Sequence, residues 1–340
     1  MKKAFLMFLS VVLIAFLLPY AISAIIYYVD KQDIHNISPE DGDAITAGNF
    51  DEPLSISVYF KNEDKTEEIE LEEYLVGVLA GEMPPTNHSE ALKAQAVAAR
   101  SYILSKVADF MDGKTAEEHK GAMVCTDYLH CKAWKSINEI KAGWDPRFAD
   151  DYEAKIRNAV TQTSGEYMIY DSKVVKAYFY AISSGKTENV SDVWGTSLPY
   201  LKSVVSREDI GTYGYESMSV YPKDIFIQKL KNIYPDIEIA DTSNMIGNTS
   251  RTEGGSVSSI EIGGKEFKGE QIRELYNLRS SNFELSADGD KITFRVLGYG
   301  HGVGMSQNGA NVMAYEGKNY TEILKHYYSG VSIVNLYKKT

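Results

Sequence analysis

Residues Ala4 to Val29 carry no charge and are mostly apolar. A bilayer core takes about 20 helical residues to cross, so this stretch is long enough to span one. Lys2 and Lys3 precede it and Asp30 is the first charge after it. The positive-inside bias therefore predicts a cytoplasmic N-terminus and a chain that otherwise lies outside the cell, anchored once in the cell membrane. Pro19 is tolerable, because membrane helices accept proline better than soluble ones do. A cleaved signal peptide is the rival reading. The apolar stretch exceeds a signal h-region of roughly 7 to 15 residues, and Ile22-Ser23-Ala24 is a poor cleavage site, so a retained anchor is expected.

Beyond the anchor the chain is long enough for one large domain or two ordinary ones. The formal net charge of −12 argues against a nucleic-acid partner. The acidic residues fall in short runs such as Glu67-Glu68 and Glu72-Glu73, the pattern of a solvated surface.

Residues 30–53 are polar and aperiodic, with Pro39, Gly42 and Gly48, and read as a tether. The external domain is expected over 54–340. Ser55 to Phe60 and Thr66 to Glu70 alternate about a turn and predict a hairpin. Leu71, Leu75, Val78 and Leu79 then fall at helical spacing as far as Gly81, and Asn87 or Ser89 is placed to cap a second helix. A helix over Tyr152 to Thr163 stopped by Gly165, and strands over Glu166 to Tyr170 and Val174 to Ala181, are predicted next. Residues 210–283 are rich in Gly, Ser and Thr and read as a possible inserted subdomain. Lys291 to Leu297 alternates as a strand, one or two helices are expected within Ser306 to Tyr328, and Val331 to Tyr337 reads as the last strand. The fold class is α+β: a helical part packed beside a largely antiparallel β part, after a single N-terminal transmembrane helix. No internal repeat is present.

Three places carry chemistry. Gly81-Glu82-Met83-Pro84-Pro85 is a stiff corner between two helices. A half-buried carboxyl there has its pKa raised, as a general acid needs; the bland alternative is a surface glutamate near a helix end. No second acid stands in a comparable loop, whereas ordinary glycosidases use two carboxylates. Second, His119, Cys125, His130 and Cys131 are enough for a closed tetrahedral Cys2His2 zinc site of structural type. A disulfide between the two cysteines is the usual alternative outside the cytoplasm, and His119 is the least secure ligand. Third, Gly300-His301-Gly302-Val303-Gly304-Met305-Ser306-Gln307 follows a strand and precedes a helix, but it has neither the G-x-G-x-x-G nor the phosphate-loop pattern. His301, Ser306 and Gln307 are candidates for holding a polar substrate. A Ser306–His301 hydrolase pair lacks the nucleophile-elbow spacing. Ser183-Ser184-Gly185-Lys186-Thr187, after Tyr178 and Tyr180, is a further polar loop beside aromatics.

Several segments together resemble the stage II sporulation protein D family. They are Leu71 to Pro84, Ala91 to Tyr102, Val193-Trp194-Gly195 with Pro199-Tyr200-Leu201, and Gly300 to Gln307. They span nearly the whole external region in the family's order. The resemblance implies a peptidoglycan lytic transglycosylase that cuts the MurNAc–GlcNAc bond of denuded glycan strands and leaves anhydromuramic ends. It implies engulfment during sporulation as the setting, with stage II sporulation proteins P and M as partners. The acid role falls on Glu82, and Arg100, Ser101, Tyr178, Ser184, His301 and Gln307 are implied cleft residues. Lys186 stands where the family usually has a second glycine, and the Cys/His cluster looks like a clostridial-type variant. Two rival functions remain: a non-catalytic wall-binding scaffold for a partner hydrolase, and a zinc-dependent wall amidase, which needs an open metal position.

Overall fold

The computed structural model describes Ile45 and residues 53–337, apart from positions 115, 128, 129, 133, 240 and 243. The expected transmembrane helix, Ala4 to Val29, lies outside the described residues, as does all of the tether but Ile45 and Pro53. Among the described residues no helix is long and apolar enough to cross a membrane.

The architecture is mixed α and β with mostly antiparallel sheets. Alternation in Ser55–Phe60 buries Ile56, Val58 and Phe60 on one face. This strand pairs antiparallel with Lys65–Glu70, from Ser55↔Glu70 to Phe60↔Lys65, around a turn in which Asp64 takes φ 49°. The helix Leu71–Glu82 begins at once and buries Leu71, Tyr74, Leu75, Val78 and Leu79.

The long helix Ser89–Met111 is the axis of the main core and is buried on most sides. Its alanines at 94, 96, 98 and 99 let neighbours approach closely. The helices Ala149–Gln162, Gln307–Tyr315 and Tyr320–Tyr327 and the strand Glu166–Tyr170 pack around it. Its N-cap is His88, whose Nδ1 accepts the Glu90 N–H at 3.2 Å, and neither Asn87 nor Ser89 takes that part.

The strand expected over Val174 to Ala181 is broken in two. Lys173–Val174 pairs antiparallel with Glu166–Tyr170, and Phe179–Tyr180 pairs parallel with Met305–Ser306. One straight strand could not serve both partners.

A second core, running from Phe226 to Val296, marks the inserted part. It rests on two three-stranded antiparallel sheets, Glu216–Pro222 with Phe283–Asp288 and Lys291–Leu297, and Ile246–Arg251 with Val257–Ile262 and Lys265–Lys268. The strands after Phe283 thus belong to the insert, beyond the boundary expected at residue 283.

Candidate active site

Glu82 is the last residue of the helix Leu71–Glu82. The backbone turns extended at Met83, whose side chain is buried, and Pro84 and Pro85 follow. Its half-buried carboxyl therefore stands at the negative end of the peptide dipoles. Burial raises its pKa, while the Lys132 ammonium and a hydrogen bond from Gln307 pull the other way. That bond runs from Gln307 Nε2 to Glu82 Oε2 at 3.2 Å and joins residues 225 apart in the chain.

Gln307 is placed by the glycine loop. Gly304 has φ +79°, and a Cβ there would fall 2.0 Å from the Tyr178 carbonyl oxygen, so no larger residue lets the two segments pair. His301 is held half-buried among rings, 5.0 Å from Trp194, 5.6 Å from Tyr180 and 6.3 Å from Tyr178 between centroids. Its Nδ1 accepts the Val303 N–H at 3.1 Å. Burial pushes its pKa down to about 3, helped by Lys132, so the ring is uncharged at neutral pH. Trp194 also meets Tyr178 at 4.6 Å and is 43% exposed, which leaves ring surface for a ligand. Nothing in the spacing of the residues around it singles out this tryptophan.

Ser306 is not available as a nucleophile. It is fully buried, its hydroxyl donates to Asp209 Oδ1 at 2.9 Å, and it caps the next helix by accepting the Gly309 N–H. Asp209 also accepts from Ser206 and Asn308, and burial nonetheless holds its carboxyl up at about 6.

Two of the expected cleft residues sit in the core, and a third, Ser184, lines a separate small cavity. Arg100 has no exposed surface; its guanidinium grips Glu72 with two bonds at 3.0 and 2.5 Å and donates to the Glu166 carbonyl at 2.9 Å. A bidentate buried pair of this kind ties elements together and leaves no donor for a substrate. Ser101 is likewise buried, bonded to the Val97 carbonyl and the Met168 N–H. Ser184 lines a small cavity under the glycine loop with Tyr180, Glu188 and Ser280. For Arg100 and Ser101 these are corrections: their segments are distinctive because they pack, and their polar groups serve that packing.

Lys132 is a site residue with no legible signal in the sequence. Its ammonium lies 3.7 Å from the Phe179 ring centroid and 4.6 Å from that of Tyr102, within electrostatic reach of both Glu82 and His301. It follows Cys131, and the Cys/His segment fixes its place. The strand Val124–Cys125 pairs parallel with Ser55–Phe60. Trp134 then donates to the Tyr74 carbonyl and lies so close to the first helix that a Cβ on Gly77 would come within 2.4 Å of its indole nitrogen.

Cys125 and Cys131 are unbridged and buried. With His119 and His130 they bring four ligand atoms within 4.8 Å of one another, His119 Nε2 to Cys131 Sγ at 3.1 Å and Cys125 Sγ to His130 Nδ1 at 3.6 Å. Tetrahedral zinc with bonds of about 2.0–2.3 Å needs ligand separations of roughly 3.3–3.8 Å, so the donor set fits that ion with small adjustments.

In this mixed α and β protein a half-buried glutamate meets the Gln307 amide and lies within reach of the Lys132 ammonium, which in turn reaches the uncharged His301 ring among its aromatic neighbours. A family model described as "Stage II sporulation protein" (SpoIID) matches residues 59–170, the part that carries Glu82. Stage II sporulation protein D of Bacillus amyloliquefaciens is 40% identical over 281 residues, 83% of this chain and 79% of that protein. The protein of the same name from Bacillus subtilis (strain 168) is also 40% identical, with the same coverage. "Amidase enhancer" of Bacillus subtilis (strain 168) is 26% identical over 77% of this chain and 40% of its own length. The chain belongs to the stage II sporulation protein D family, a family of sporulation proteins.

Proposed function

We propose that this chain is a peptidoglycan lytic transglycosylase that cuts the MurNAc–GlcNAc bond of denuded glycan strands during engulfment. The observation that carries the reading is the Gln307–Glu82 hydrogen bond, which joins the two most specific segments of the sequence around one acid. Glu82, whose pKa burial raises, gives its proton to the glycosidic oxygen as the C1–O bond breaks. The muramyl C6 hydroxyl attacks C1 of the same sugar and returns its proton to the Glu82 carboxylate, closing the anhydro ring. No water need be activated, so no second carboxylate is required, in keeping with Lys132 and Gln307 as the groups acting on Glu82. Gln307 orients the carboxyl, His301 and Tyr178 with Trp194 offer a polar edge and ring faces to the sugars, and Lys132 balances the charge left on Glu82.

The same reading takes the four Cys/His ligands as a structural zinc site, with His119, Cys125, His130 and Cys131 holding the segment that carries Lys132. Such an ion would supply cross-linking alone, since four protein ligands leave no open position, and this disfavours a zinc amidase. Single-pass anchoring with the domain outside the membrane, and stage II sporulation proteins P and M as partners, complete the proposal. A second reading, a wall-binding scaffold for a partner hydrolase, draws on the name of the amidase-enhancer relative.

The test is mass analysis of products from denuded glycan strands treated with residues 53–340 or the Glu82→Gln form, both shown to be folded. Anhydromuramic products from the wild type, reduced about 10²–10⁴-fold in the variant, support the proposal. Reducing ends would mean that water is the nucleophile, and no products from either protein would favour the scaffold.

A further inference from the structure

Glu188 is 1% exposed and has no part in the proposed chemistry. It leaves the strand-like segment after Thr187 and lies directly on the glycine loop: its N–H donates to the Gly302 carbonyl at 2.7 Å, and it forms a parallel bridge with Val303. Its side chain crosses the boundary between the two cores. Oε1 accepts the Ser256 N–H at 3.0 Å, from the turn between the insert strands Ile246–Arg251 and Val257–Ile262. The next residue repeats the crossing, Asn189 Nδ2 donating to Glu253 Oε2 at 3.3 Å.

Glycines are required on both sides of this carboxyl. A Cβ on Gly254 in the insert would fall 2.4 Å from Glu188 Cδ, and one on Gly302 would fall 2.7 Å from Cγ. Gly300 is similarly closed off by Tyr180, at 2.6 Å. Glu188 Oε2 and the Tyr180 hydroxyl are buried without a hydrogen-bond partner in the protein, and both residues line one cavity of about 10 Å³ with Ser184, Ser256, Ser280 and Asn282. That volume and those polar groups suit a single bridging water. A buried polar group is costly to leave without a hydrogen bond, so the two parts are held together wherever the partners of this carboxyl are supplied.

We propose that Glu188 is the positioning residue that clamps the β-rich insert onto the glycine loop, so that the insert holds His301 in the cleft. His301 lies between Gly300 and Gly302, the two loop residues packed on Tyr180 and Glu188, and the clamp sets its ring position without touching a substrate. A carboxyl shape is required here and its charge is not: the amide of Gln would still accept from Ser256 and would donate toward Tyr180.

The experiment is amide hydrogen exchange on the wild type, Glu188→Ala and Glu188→Gln, read over residues 252–256, 298–304 and 89–111, with glycan turnover measured alongside. In Glu188→Ala, exchange over 252–256 and 298–304 should rise together by about tenfold or more while 89–111 keeps its protection. Glu188→Gln should recover most of that protection, and turnover should follow protection across the series. Should the alanine variant fail to fold, Gly254→Ala attacks the same contact from the insert side and should raise exchange in the same two segments. Unchanged exchange over 298–304 in Glu188→Ala or Gly254→Ala would overturn the proposal. So would a Glu188→Gln protein as exposed as the alanine form. The turnover arm rests on the lytic transglycosylase reading. The exchange arm does not, so absence of cleavage by the wild type would sink that reading and leave the clamp to be decided by exchange.

Discussion

The two cores of this molecule are built on opposite terms. The main core buries charged side chains, among them Arg100, Glu188 and Asp209. Among the described residues of the insert, 216–297, no charged side chain is buried. Its core is a cluster of rings, Phe226 stacked on Tyr276 at 4.9 Å and Phe283 edge-on to Phe294 at 5.5 Å. The tyrosine hydroxyls there donate to backbone carbonyls, Tyr276 to Phe226 and Tyr221 to Tyr276, both at 2.7 Å. Ring packing of this kind gives stability without a chemical group to offer. The main core keeps the ionisable groups, each tied by hydrogen bonds, and the acid stands at its edge. The insert is therefore a brace, and the main core is where substitution should cost function and stability together.

The sharpest way to break this contrast is Arg100→Ala. It would leave Glu72 without its buried partner, and a loss of about 3–5 kcal/mol in denaturant unfolding is expected. A loss below about 1 kcal/mol, the range of an exposed pair, would show that the two are not wired as their geometry indicates.

Asp209 gives the next largest effect. Its folded pKa of about 6 lies above the ordinary value of 3.8, so its contribution to stability is fully present below pH 3.8 and is lost as pH rises through 6. The stability of the wild type relative to Asp209→Asn should fall by up to about 3 kcal/mol over that window. Parallel stability curves for the two proteins would refute the burial argument.

Phe294→Leu tests the other side. It keeps most of the volume of the insert core and should cost less than about 1.5 kcal/mol, with the pH dependence unchanged. An altered pH profile would mean that the two cores share their ionisable groups. The smallest effect is expected at the exposed Lys318–Glu322 pair, where Lys318→Ala should change stability by less than about 0.5 kcal/mol.

Local pattern is legible wherever it is also structural. The opening hairpin, the strand Lys291–Leu297, the helix that ends at Glu82 and the helix after it follow from alternation and spacing alone, with ends displaced by a residue or two. Glu82 and Gln307 are legible as members of distinctive segments, and their contact is not, because no local pattern encodes a pairing over such a separation. Arg100 and Ser101 mislead for the complementary reason: a polar residue in a distinctive segment looks the same whether it faces a cleft or fastens a core. Lys132 carries no signal, since its position depends on the Trp134–Gly77 contact and the fold of the Cys/His segment. The insert's true extent is hidden because Lys291–Leu297 reads equally well as a strand of either part.

The hydrogen bond between Glu82 and Gln307 has a consequence in time as well as in space. As the chain is synthesised, Glu82 emerges 225 residues ahead of the amide that orients it. Until the glycine loop arrives and pairs with Phe179–Tyr180, the acid corner has no opposite wall. A partly made or prematurely ended chain thus carries an inert glutamate, and the capacity for the proposed cut comes only with the finished fold. Under the proposed function the substrate is the wall that protects the cell itself, and competence to cut it is then the last thing the polypeptide acquires.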